Sequence, residues 1–142
     1  MAKERKLSQG FEDALKTAFP IAPTPTQITS STTPDCREIE SLLQGHRWND
    51  IPGHLVDRLQ TDLPLFSSEY FRYVLPAYLA RAYKTEDRSL AFHTTSALQP
   101  GSVHAAAFGA FSSAQRAMIK RFLEWAANRL GDPDAEKTSE TW

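Results

Sequence analysis

The chain has 142 residues, 41% hydrophobic and 23% charged, with a net charge of -1, which are the proportions of one ordinary globular domain. A near-neutral balance gives no global attraction to nucleic acid or anionic membrane, and no apolar run approaches the roughly 20 residues that span a bilayer. Cys36 is the sole cysteine and cannot close an intramolecular disulfide; the charged first residues lead into no apolar stretch, so they are not a secretory leader and a cytoplasmic location is expected.

Leu7, Phe11, Leu15 and Phe19 recur at spacings of four and predict a first helix ended by Pro20. Residues 20–34 hold four prolines among threonines and serines, which breaks every period and predicts a partly extended, mobile loop. Thr33 followed by Pro34 is a helix start, because the hydroxyl accepts from free first-turn amides and proline has no amide to leave unpaired. The helix so opened should run over 34–44, bury Ile39, Leu42 and Leu43, and stop at Gly45. Trp48 to Gly53 reads as a turn into a short helix from Pro52 with Leu55, Val56 and Leu59 inward.

All four tyrosines, Tyr70, Tyr73, Tyr78 and Tyr83, lie within fourteen residues. Capped by Ser67 or Ser68, this segment is apolar on nearly every side of a helix, which predicts a buried central rod from which only Tyr73 or Tyr83 reaches the surface. Pro76 inside it removes a backbone donor and clashes with the carbonyl of Arg72, so a kink or break is expected there. A weaker helix spans 87–99 with Leu90, Ala91 and Leu98 inward and Pro100-Gly101 as its stop. Val103 to Phe111 fits a short helix or a loop.

Ser112 and Gln115 form a capping box opening a last helix, which Gly131 and Pro133 close. Its inward arc is Ala114, Met118, Ile119, Phe122, Leu123, Trp125, Ala126 and Leu130, with Arg116, Lys120, Arg121, Glu124 and Asn128 opposite. The tail, Asp132 to Trp142, is acidic and aperiodic, and reads as frayed. No segment alternates long enough to demand a strand. The expected fold is all-α: a single domain over 1–131 with five to six helices around a buried, proline-kinked central helix.

Chemistry is sparse. His46, His54, His93 and His104 share no metal-ligand spacing with one another or with Cys36, so no metal is expected. Cys36 sits in a first helical turn that would favour its thiolate, yet no histidine stands in a recognised relation to it, and a packing role is the simpler reading. No nucleophile elbow or phosphate loop occurs, and no cofactor is expected. An enzyme would have to assemble its site from distant residues near the Pro76 kink, with Arg72, His93 and His104 as candidates. A nucleic-acid binder would use Arg116, Lys120 and Arg121 of the last helix, a stripe that Glu124 interrupts.

Charge is polarised: residues 35–69 carry seven acids against three bases, and residues 70–131 eight bases against three acids. Asp35, Glu38, Glu40 and Asp50 are the candidate partner-binding residues, since an acidic face can steer association with a basic partner.

Three runs carry a resemblance: Trp48-Asn49-Asp50-Ile51; Phe66 to Leu79, whose most specific part is Phe71-Arg72-Tyr73-Val74-Leu75-Pro76-Ala77-Tyr78-Leu79; and Phe111 to Trp125 with Ile119, Phe122, Leu123 and Glu124 in register. Together, over about residues 36–126, they resemble an uncharacterised bacterial family of small single-domain helical proteins. The resemblance implies an all-α fold and bacterial cytoplasmic origin, and transfers no catalytic residue. Small bacterial proteins of this kind are often encoded beside secreted toxins, so by analogy the expected function is a non-enzymatic interaction module of the immunity type, whose partner is a cognate toxin.

Overall fold

The computed structural model describes the backbone of residues 2–142 and the side chains of residues 10–142. Within them the chain forms seven α-helices: α1 (Ala2–Ala18), α2 (Pro34–Leu43), α3 (Gly53–Arg58), α4 (Ser68–Thr85), α5 (Arg88–Ala97), α6 (Ser113–Arg129) and α7 (Pro133–Ser139). Short 3-10 turns at Trp48–Asp50, Leu63–Leu65 and Ala105–Ala110 connect them. No strand occurs among the described residues, and a single backbone bridge joins Thr29 to Phe66. The all-α architecture is as expected, and the helix beyond the predicted five or six is α7.

The tyrosine-rich segment is the centre of this arrangement because it has no polar face to give to solvent. Tyr70, Phe71, Val74, Leu75, Tyr78, Leu79 and Ala82 of α4 are all buried, and α1, α3, α5 and α6 pack around it. Aromatic contacts tie the layers together. Phe66 meets Tyr70 edge-on at 5.1 Å, and Tyr83 lies between Phe11, stacked at 4.1 Å, and Trp125 at 4.7 Å. Burying such side chains contributes roughly 1.5–3 kcal/mol each. The helix runs unbroken through Pro76, where a break had been one expectation. The missing amide leaves the carbonyl of Arg72 without the helical donor that residue 76 would supply.

Helix ends follow local chemistry. Thr33, Ser67 and Asp87 each accept from a first-turn amide of the helix they open, at 3.3, 3.1 and 3.1 Å. Ser112 and Gln115 exchange the reciprocal bonds of a capping box at 3.1 and 2.9 Å. Gly45 and Gly131 take the left-handed φ values of 84° and 67° that terminate α2 and α6. Glu86, at the end of α4, also has a positive φ, 54°, and an ion pair with Arg129 holds it there.

Three expectations need correction. Residues 20–33 are extended but fastened: Tyr73 donates to the Ala22 carbonyl at 2.8 Å, Thr24 to that of His46 at 2.7 Å, and the Ser67 amide to that of Ile28 at 2.8 Å. The tail is not frayed, because Asp132 caps α7 through the amides of Asp134 and Ala135. Ala135 is buried, and the Trp142 indole donates to the Leu98 carbonyl at 2.9 Å while its ring packs 4.7 Å from Phe108. Finally, Ala114 is exposed where the helical arc had put it inward. Leu7, predicted to bury with Phe11 and Leu15, lies outside the described side chains.

Candidate functional site

The four acids proposed for partner binding do not form one surface of equivalent groups. Glu40 is half-buried and accepts from the Thr29 hydroxyl at 2.6 Å, which makes it a fastener of the 20–33 strap. Asp50 lies on the 3-10 turn beside Trp48 and faces His46 at 3.4 Å. Asp35 and Glu38 are exposed on α2, and Glu38 pairs with Arg58 of α3 at 2.6 Å. Because both partners of that pair are well over half exposed, it is worth well under 1 kcal/mol and is readily exchanged for another cation.

Near the Glu38–Arg58 pair that links α2 to α3 stands a residue that sequence reasoning did not select. Asp62, just after α3, is half-buried, and burial first, then the charges of Asp35 and Glu38, push its carboxyl above the ordinary range against the opposing effect of Arg58. Asp35 and Glu38 thus add their charge to the effect of burial on Asp62, with Arg58 opposing them. No sequence signal could have selected Asp62, since it joins the others only through packing at a separation of more than twenty residues.

The candidate catalytic residues are dispersed. His104 is 2% exposed and stacked on Phe71 at 4.3 Å. Nε2 lies 2.8 Å from the Leu63 carbonyl and Nδ1 3.1 Å from the Ser68 hydroxyl. A carbonyl only accepts, so Nε2 carries the proton and Nδ1 accepts from Ser68. Burial holds this imidazole below its usual pKa, partly offset by the Leu63 bond. It is a neutral strut. His93 sits on α5 edge-on to Phe92 at 5.4 Å. Arg72 lines a cleft of about 290 Å³ with Glu69, Tyr73, Trp48, Gln115 and the prolines of the strap, and neither His93 nor His104 lines it. Cys36 is fully buried, which removes it from any substrate.

A second cleft, about 240 Å³, lies between α1, α3 and α4, with Lys16, Lys84, Glu12 and Arg81 among its lining. Arg81 is committed elsewhere, to a bidentate pair with Asp57 at 3.1 and 2.8 Å that holds the Asp57 carboxyl below its ordinary pKa. Gly53 permits this approach: a Cβ there would stand 2.5 Å from Nη1 of Arg81. Trp48 lines both clefts.

On α6, Arg116 donates to the Phe108 carbonyl at 3.1 Å and lies 4.8 Å over Trp142, while Arg121 lies over Phe11. Two of the three bases of the predicted stripe thus cover aromatic rings. Among the described residues no group of three or more His, Cys, Asp or Glu could hold a metal ion, and no helix is long and apolar enough to cross a membrane.

Comparisons with curated proteins and with solved structures gave no match. Residues 27–140, from the strap to α7, match a family of unknown function, DUF6714, and enclose the 36–126 stretch on which the sequence resemblance rests. The chain belongs to this family.

Proposed function

We propose that the protein is a binding module whose acidic α2–α3 junction receives a cationic surface of another protein. The observations that carry this reading are the exposed carboxylates of Asp35 and Glu38 on α2 and the solvent-exposed pair of Glu38 with Arg58, with Asp62 near enough to feel both acids. Three neighbouring carboxylates, one of them half-buried, repel one another, and a cation supplied from outside offsets that cost. Arg58 is the internal cation at this place, and its exposed pair with Glu38 is weak enough for a partner's arginine or lysine to replace it. In its most concrete form the module is a cytosolic immunity-type protein that caps the basic cleft of a toxin, a form supported by the family analogy and by the sign of the charge. Glu40, half-buried and bonded to Thr29, is the least available of the four acids, whereas Asp50 stays exposed beside His46.

The test is capture of the partner from the native host by immobilised protein, comparing wild type with the triple variant Asp35→Lys, Glu38→Lys, Asp62→Lys at low and physiological salt. A partner retained by wild type, lost by the triple variant and weakened by salt supports the reading. Equal retention by the two proteins would remove it.

A further inference from the structure

Four buried side-chain polar atoms have no partner among the described residues: Trp48 Nε1, Tyr70 Oη, Arg72 Nε and Thr95 Oγ1. The two hydroxyls can both give and accept, but indole and guanidinium N–H groups only donate. Both residues line the cleft of about 290 Å³ beneath the proline strap, although these two atoms are themselves out of solvent's reach and Trp48 also lines the second cleft. A buried donor without an acceptor is destabilising, and folded proteins hold few of them.

The chain has an acceptor close by and does not use it. Glu69 precedes Arg72 by one helical turn and lines the same cleft, yet no ion pair or hydrogen bond joins the two among the described residues. What remains is a half-buried guanidinium beside Trp48 and Tyr73, with Phe19 and the ring of Pro23 completing apolar walls. Tyr73 is pinned by its bonds to the Ala22 carbonyl and the Trp48 amide at 2.8 and 3.1 Å, so the wall on that side is fixed before any ligand arrives.

We propose that this cleft binds a small monocarboxylate with an apolar body, its two oxygens on the guanidinium of Arg72 and its body against Trp48, Tyr73 and the strap. A carboxylate is the planar, bidentate acceptor that a guanidinium fork matches. The Glu69 charge in the same lining opposes any anion, and a doubly charged phosphate about twice as strongly as a monocarboxylate. The cavity is large enough for a single ring with a short acid chain and too small for a folded partner. This site is separate from the acidic junction and stands or falls independently of it.

The probe is 3-phenylpropionate, titrated calorimetrically into wild type, Arg72→Lys and Arg72→Met, with the uncharged 3-phenylpropanol and inorganic phosphate as comparisons. A charge-assisted pair is worth about 1.5–3 kcal/mol, so binding should weaken roughly 10- to 100-fold in Arg72→Met, with Arg72→Lys between them, while 3-phenylpropanol binds the three proteins alike. The unliganded Arg72→Met protein should melt no lower than wild type, because it removes an unserved donor; this separates a binding role from a structural one. The proposal is overturned if wild type gives no binding heat up to about 10 mM, if Arg72→Met binds the acid as well as wild type, or if phosphate binds more tightly than the acid.

Discussion

Replacing His104 by phenylalanine tests whether the buried imidazole is a neutral strut. Phenylalanine keeps the stack on Phe71, but its ring is larger than imidazole, so a pH-independent packing cost adds to the loss of two hydrogen bonds. The Leu63 carbonyl would retain only the amide of Phe66 at 3.3 Å, and the Ser68 hydroxyl, on an exposed residue, would turn to water. The expected loss is about 1–2 kcal/mol at neutral pH, a fall of roughly 3–8 °C in melting temperature for a chain of this size. The pH dependence is more diagnostic. Because the folded imidazole titrates below its usual value of 6.5, the unfolded chain binds a proton there that the folded chain refuses. His104 thus contributes stability that is present above pH 6.5 and lost as pH falls toward the folded value, with a limiting slope of about 1.4 kcal/mol per pH unit. Urea unfolding of wild type and His104→Phe between pH 7.5 and 5.5 would show the difference between the two proteins shrinking with acid. A difference that stays constant across that window would refute the neutral, proton-excluding strut.

The buried phenols offer a matched pair. Tyr78 donates to the Leu59 carbonyl at 3.0 Å and the Tyr70 hydroxyl has no hydrogen-bond partner among the described residues, so Tyr78→Phe should cost about 1–3 kcal/mol in urea unfolding whereas Tyr70→Phe is neutral or stabilising; equal losses would contradict this. Asp132→Ala should cost about 1 kcal/mol through its lost cap and expose the C-terminus to carboxypeptidase. Rapid digestion of the wild-type C-terminus by the enzyme would indicate a free tail. Gly53→Ala should destabilise by displacing Arg81 from Asp57, and the loss should largely vanish in an Arg81→Ala background; additive losses would show that the close approach is irrelevant.

The legible parts of this molecule were those encoded in local periodicity. The arc of Met118, Ile119, Phe122, Leu123 and Ala126 and the caps at Thr33, Ser67 and Ser112 reappear in the structure because short-range spacing determines them. Ala114 lay on the same arc, but a lone methyl at the first turn has too little apolar surface to enforce burial. The strap at 20–33 reads as a loop because its fastening uses backbone carbonyls, of Ala22, Ile28 and His46, which leave no side-chain pattern. The α7 helix was missed although Asp132-Pro133 repeats the cap-then-proline signal seen at Thr33-Pro34, because seven residues with one inward alanine show no apolar period. At the candidate site, Asp35 and Glu38 could be picked out by charge on one helix. Asp62 could not, since only the tertiary fold brings it near them, and the same holds for Trp48 and Arg72 lining one cleft.

The account depends most on Asp35, Glu38 and Asp62 acting as one electrostatic unit, and carbon-13 NMR titration of the Asp62 carboxyl in wild type and Asp35→Asn addresses it directly. The wild-type midpoint should lie above the ordinary aspartate value of about 3.9 and move down when Asp35 loses its charge. A midpoint at or below that value, or one indifferent to Asp35, would contradict the shared field and with it the acidic docking face.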